Sequence, residues 1–182
     1  MKKAAVIVTG FFLLAGPALA GGVRVGARGS YFSSENSIFR DIYGGAAKFG
    51  LEGGYDISSS FSIWIGLDYL HRTGKLTLTQ EKTQISLLPL SLGVRYEIPA
   101  GDKFLFQLGA GLQEVFFKED SPIGAVKENA LGLMVKGGAL YQLNEKLGAG
   151  LFLSWSSCKM SREGVDFRVG GLDLGAAVEF RF

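Results

Sequence analysis

Apolar and polar side chains alternate with a period of two through nearly the whole chain from residue 22 onward, and no other feature constrains the fold as strongly. Successive side chains of a strand point to opposite faces, so this period read over ten or more residues describes a strand with two chemically different sides. No segment after Gly21 carries the i, i+3, i+4, i+7 spacing of an amphipathic helix over a useful length. Eight strands are predicted, at about 22–33, 45–57, 61–73, 83–98, 103–117, 128–142, 147–159 and 166–182.

One face of these strands is apolar throughout. It reads Phe49, Leu51, Tyr55, Ile57 in the second strand, Leu88, Leu90, Leu92, Val94, Tyr96 in the fourth, and Leu172, Leu174, Val178, Phe180, Phe182 in the eighth. Aromatic residues gather toward the strand ends, with Tyr55, Phe61, Tyr69, Tyr96, Phe104, Tyr141 and Trp155 as the expected interface girdles. The opposite face carries Arg24, Arg28, Lys48, Glu52, Asp56, Asp68, Arg72, Arg95, Glu97, Lys136, Asp173, Glu179 and Arg181, separated by glycines such as Gly50, Gly54, Gly66, Gly109 and Gly138. The chain has 27 glycines without a G-x-y period, which excludes collagen. On a wet outer face glycine would weaken strands for no gain. Inside an eight-stranded barrel, where side chains barely fit, small residues must separate large ones. The apolar face is therefore expected to meet lipid, and the charged face to fill the lumen.

Tight turns at "SSS" (58–60), "PAGD" (99–102) and "NEK" (144–146) alternate with longer polar connections near 34–44, 74–82, 118–127 and 160–165. Short turns at one end and longer loops at the other are the asymmetry of an outer-membrane barrel whose short end faces the periplasm. The fold class expected is all-β, an eight-stranded antiparallel up-and-down transmembrane β-barrel over residues 21–182. Residues 1–20, "MKKAAVIVTGFFLLAGPALA", have a basic start, an apolar run and a small-x-small end; they read as a cleaved signal peptide. Without Lys2 and Lys3 the remainder is formally neutral, and no basic stretch with interleaved aromatics suggests nucleic acid. Cys158 stands alone, so neither a disulfide framework nor a Cys/His metal cluster is expected, and no cofactor.

Seven inward cations against six inward anions would be costly if unpaired in a narrow lumen. They are expected to form a near-neutral network that plugs it, in preference to an ion pathway. Trp64, Leu105, Met134, Leu140 and Phe152 also point inward and leave open an apolar pocket. Pro89, on the inward face of the fourth strand, suggests a local bulge. Cys158 faces inward as a small filler. "GAG" at 109–111 and 148–150 precedes strand, not helix, and fails as a nucleotide loop. Phe39, Ile42 and Tyr43 are apolar exceptions in the first long loop, expected to dip back to the membrane interface or to contact a partner.

The leader, "LLPLSLGVRYEIPAGDKFLFQLGAGL" (87–112) and the terminal "FRF" resemble the small outer-membrane β-barrel superfamily, including its outer-membrane protein W and X families and porin-like domain. The resemblance covers residues 21–182. It implies residence in the Gram-negative outer membrane, among outer-membrane lipid and lipopolysaccharide, and recognition of Phe180 and Phe182 by the barrel-assembly machinery. Some members are lipid A deacylases or acyltransferases that use a His with a nearby Ser. Here the one histidine, His71, lies in "LHRTG", without the deacylase His-x-Ser, and an interfacial structural role is expected of it. The functional expectation is a monomeric barrel with a filled polar lumen, structural or engaging a surface ligand through its external loops, and not an enzyme. The alternatives are a narrow channel for ions or small apolar solutes, and a lipid A-modifying enzyme.

Overall fold

The computed structural model describes residues 22–76, 81–122, 124–162 and 165–182. The expected leader, 1–20, lies outside the described residues. Eight strands run up and down in sequence order around a closed barrel: β1 (Val23–Ser34), β2 (Ala46–Asp56), β3 (Phe61–Lys75), β4 (Lys82–Ala100), β5 (Phe104–Ser121), β6 (Gly124–Gln142), β7 (Leu147–Arg162) and β8 (Val165–Arg181). β1 closes on β8 from Arg24↔Arg181 to Ser34↔Gly171. Closure pairs the backbone of every strand with a neighbour on both sides, as a medium without water demands.

The stagger of the sheet can be followed around the barrel. From Arg24 the partners run through Gly54, Trp64, Gly93, Gly111, Met134, Ser156 and Gly171 to Ser34, ten residues along β1 from the start. Eight strands with such a stagger tilt by roughly 40° and leave an interior just wide enough for side chains. The apolar face is on the outside: Leu51, Leu67, Leu92, Leu108, Leu133, Leu151 and Leu174 are between 47% and 67% exposed. This excludes a soluble barrel, whose greasy side would turn to the axis. On β5 the band runs from Phe104 to Phe116, and about twelve steps of about 3.3 Å inclined by roughly 40° give about 30 Å, the height of bilayer hydrocarbon. Near the short turns Phe61–Tyr96, Phe104–Tyr141 and Phe180–Phe182 form contacting aromatic pairs, with Tyr55 at the same end. Tyr69 and Trp155 lie toward the other end of the wall, joined there by Tyr31.

Three local expectations are corrected. Pro89 makes no bulge: the β3–β4 register is the same at Leu67↔Leu90 and Leu70↔Leu87, with only the two positions between them unpaired, and β4–β5 passes through Pro89↔Val115 unbroken. The missing N–H removes a rung without inserting a residue. The third and fourth long connections are not loops but hairpins that continue to Ser121↔Gly124 and Arg162↔Val165. Beyond the hydrocarbon both faces of a strand are polar, so the alternation that marks it disappears although the pairing does not. The first connection holds a helix, α1 (Ser37–Tyr43), too short to show a helical period. Asn36 caps it by accepting from the Phe39 N–H at 3.2 Å, and Gly44, at φ 65°, ends it.

Candidate functional site: the filled interior and its external mouth

The lower part of the interior holds an ionic network. Arg24 on β1 reaches Asp56, Glu97 and Glu179 on three other strands. Arg95 lies 3.1 Å from Glu52, 3.2 Å from Glu179 and 3.5 Å from Glu97, and its Nε donates to Ser62. Arg28 grips Asp68 with two parallel bonds of 2.8 and 2.7 Å, the planar fork matching the carboxylate. Glu52 receives Arg28, Arg95 and Lys136, and the Lys136 ammonium also sits 3.8 Å over the Trp64 ring. Lys48 pairs with Asp173 at 2.5 Å, and Ser30 and Ser154 donate to the same carboxylate. At the rim on the short-turn side Arg181 approaches Glu97 at 3.7 Å.

Twelve of the thirteen charges read from the sequence thus meet, six cations with six anions. Arg72 does not join them. It stands two residues beyond Leu70, where the lining is apolar, and its Nε donates to the Tyr43 carbonyl at 3.1 Å. The glycines explain how guanidinium groups fit across the wall. A Cβ at Gly66 would lie 2.7 Å from Arg28 Nη2, one at Gly54 would lie 3.2 Å from Arg95 Nη2, and one at Gly50 would strike the Asp68 carboxylate. A cavity of about 50 Å³ adjoins the network, lined by Arg24, Arg28, Glu52, Arg95, Gln107 and Glu179 among others. Leu140 and Phe152 border the same cavity, and no roomy apolar pocket forms there. It has room for a few waters and is far below the size of a small-molecule site.

The upper interior is an apolar core. Phe32, Ala46, Leu70, Ile85, Leu87, Val115, Ala130 and Cys158 are buried there, with Tyr43 of α1 among them and Phe39, Ile42, Phe117 and Val169 packed against the cluster. Phe39 and Tyr43 therefore turn into the mouth, not back to the membrane interface. Phe39 stacks between Phe32, at 6.1 Å edge to face, and Tyr43, at 5.0 Å. Once α1 forms, i and i+4 share one face, and that face is the stopper. Its anchor is polar: the Tyr43 hydroxyl donates to Glu119 at 2.6 Å and lies 3.0 Å from Thr83 Oγ1. Burial, helped by the adjacent Glu119 carboxylate, pushes the Tyr43 pKa up, so the phenol stays a donor. Sequence reasoning missed this anchor because its members come from three separate segments.

His71 lies on the outer wall with Nδ1 3.0 Å from Ser86 Oγ, its cross-strand partner. Among the described residues no carboxylate bonds the ring, so the pair lacks the group that would orient and charge-stabilise a catalytic imidazole. No group of three or more His, Cys, Asp or Glu that could hold a metal occurs among the described residues.

The architecture is shared with solved outer-membrane proteins. OprG of Pseudomonas aeruginosa superposes with a TM-score of 0.68 at 14% identity, covering 90% of this chain and 96% of its own. Neisserial surface protein A gives 0.63 at 17%, covering 89% and 97%. The attachment invasion locus protein Ail of Yersinia pestis, in complex with the heparin analogue sucrose octasulfate, gives 0.53 at 13%, covering 89% and 97%. No curated protein matches the sequence. The model of the outer membrane protein beta-barrel domain matches residues 4–180, and with this register, lipid-facing wall and closure the chain belongs to that family.

Proposed function

We propose that this outer-membrane barrel is closed to solute flow and acts, as a monomer, as a structural and surface-interaction protein through its external hairpins and mouth. The observation that carries the reading is the double filling of the interior. A charge-balanced network occupies the lower part, and an apolar core stoppered by α1 occupies the upper part. An ion entering from outside would have to pass the apolar core of Phe32, Leu70, Ile85 and Leu87 under the α1 stopper, a costly step for a charge leaving water. That the Yersinia pestis barrel is seen with a heparin analogue supports a surface role for a barrel of this architecture.

Planar-bilayer recording tests the proposal. The purified protein should give no steady conductance; reproducible single-channel steps would replace this reading with the channel alternative. Shortening the β3–β4 and β5–β6 hairpins beyond the membrane should alter surface adhesion or envelope phenotypes while the barrel still inserts. His71→Ala should leave the acylation of lipid A, followed by mass spectrometry, unchanged; a change would restore the enzymatic alternative.

A further inference from the structure

The register of the three external hairpins places like charges directly opposite one another. Lys75 faces Lys82 across β3–β4, Lys118 faces Lys127 across β5–β6, and Lys159 faces Arg168 across β7–β8. All six side chains are exposed, and all six have the parity of the lipid-facing wall, in line with Tyr69, Leu88, Phe116, Leu131, Trp155 and Leu172 below them. Directly opposed side chains have their Cβ atoms about 5 Å apart, and like charges in that position destabilise the pairing. Among the side chains that are described, which do not include 160–167, the one carboxylate at ion-pairing distance from any of the six is Asp120, on Lys118 at 2.5 Å. Glu114, on the same wall, instead accepts from Asn129 at 2.8 Å.

We propose that these three cationic pairs are clamps for the phosphate groups of outer-leaflet glycolipid. The proposal rests on the orientation in the reading above, with the hairpins outside, but not on the closed lumen. The position argues for lipid. The pairs point sideways from the wall, just beyond the apolar band, where long cationic side chains reach headgroups. They also lie at three separate directions around the barrel, on β3–β4, β5–β6 and β7–β8. One compact partner could not cover all three without wrapping the barrel, whereas an annulus of lipid surrounds it by necessity. A phosphate between two opposed cations converts their repulsion into two charge-assisted contacts, and at the third clamp the Arg168 fork can take two oxygens at once.

The test uses the full barrel in zwitterionic detergent, with bis-phosphorylated lipid A, dephosphorylated lipid A and inorganic phosphate as separate probes. Phosphorylated lipid A should bind and raise the thermal midpoint. The dephosphorylated lipid and inorganic phosphate should do neither. Lys75→Gln with Lys82→Gln should weaken lipid A binding by roughly thirty-fold, at about five-fold per cation near a phosphate surface. The single variant Lys82→Gln supplies a sign reversal: its midpoint should rise in plain detergent, where repulsion is relieved, and fall in lipid A, where a contact is lost. Lys103→Gln with Lys146→Gln, the same charge change at the opposite end, should move neither quantity. Equal binding of the dephosphorylated lipid, an equal effect of inorganic phosphate, or the same sign of shift in both media overturns the proposal. Conductance recorded on the same samples keeps the two readings apart, because a conducting barrel would end the closed-lumen reading and leave the clamps standing.

Discussion

Glu52 is the carboxylate on which the network turns. Arg28 lies 2.5 Å from it, Lys136 2.6 Å and Arg95 3.1 Å. Two of these cations have other anions: Arg28 keeps Asp68, and Arg95 keeps Glu97 and Glu179. Lys136 has no second carboxylate among the described residues, only the Trp64 ring face. Glu52→Gln preserves volume and leaves one ammonium uncompensated in a site where the lysine and glutamate side chains are 10% and 13% exposed. Removing one partner of a buried pair costs about 3–5 kcal/mol, and the ring face with the new amide oxygen returns about 1 kcal/mol, so a net loss of about 2–4 kcal/mol is expected. Lys136→Met alone should cost less, about 1 kcal/mol, because Glu52 still faces two arginines. The double variant restores neutrality and should recover at least half of the loss from Glu52→Gln, a coupling of about 2 kcal/mol. Urea unfolding in lipid vesicles measures all three, with Trp64 beside the altered pair as a fluorescence reporter. A Glu52→Gln barrel as stable as the parent, or single effects that simply add, would refute the view that this lumen is held by charge balance.

Three further outcomes follow from the same geometry. Gly50→Val pushes a side chain into the Asp68 carboxylate and off its two bonds to Arg28; the expected loss is about 1–3 kcal/mol in the same unfolding assay, and an unchanged midpoint would show the wall has slack. Tyr43→Phe removes the donor to Glu119 but keeps the ring in the core, so the Arg40 and Gly44 amides of α1 should exchange hydrogen about ten-fold faster while the strands do not change; equal exchange would mean that the hydroxyl does not anchor the helix. Deleting Phe182 takes one ring from the Phe180–Phe182 pair that is read as the assembly signal, and the inserted fraction in outer-membrane preparations should fall; undiminished insertion would assign recognition elsewhere.

Period two carries nearly all of the fold, because within the membrane the outer face meets one medium and the alternation is broken there by few residues, Glu114 among them. It could assign Arg28, Glu52 and Asp68 to the lumen but not say which touches which, since the partners depend on the ten-residue stagger that only the closed barrel shows. Parity alone groups Arg72 with them. Height is the missing coordinate: two residues past Leu70 the interior has become apolar, and the guanidinium turns to the Tyr43 carbonyl instead. α1 escaped for the opposite reason. Seven residues are under two turns, and Asn36 and Gly44 look like loop residues until the Phe39–Tyr43 face has a core to cover.

The charge pattern separates the surfaces the protein satisfies internally from those it leaves to its surroundings. In the lumen six cations meet six anions, because nothing but the protein is there to neutralise them and the desolvation of each must be offset by a neighbour. A balanced interior also carries no net charge to draw ions toward it. On the outer wall above the apolar band the same chain sets Lys75 against Lys82, Lys118 against Lys127 and Lys159 against Arg168, with Asp120 at ion-pairing distance from Lys118 among the described residues. A sequence able to match charge so closely ten or so ångströms inward had the residues to do so outside as well. On the proposed reading, the repulsion of those pairs is relieved where the environment is dense in anions. The ion-pair network of the lumen is balanced while the wall beyond the apolar band sets cation against cation, and that contrast is why the clamps are proposed on the wall and not in the bore.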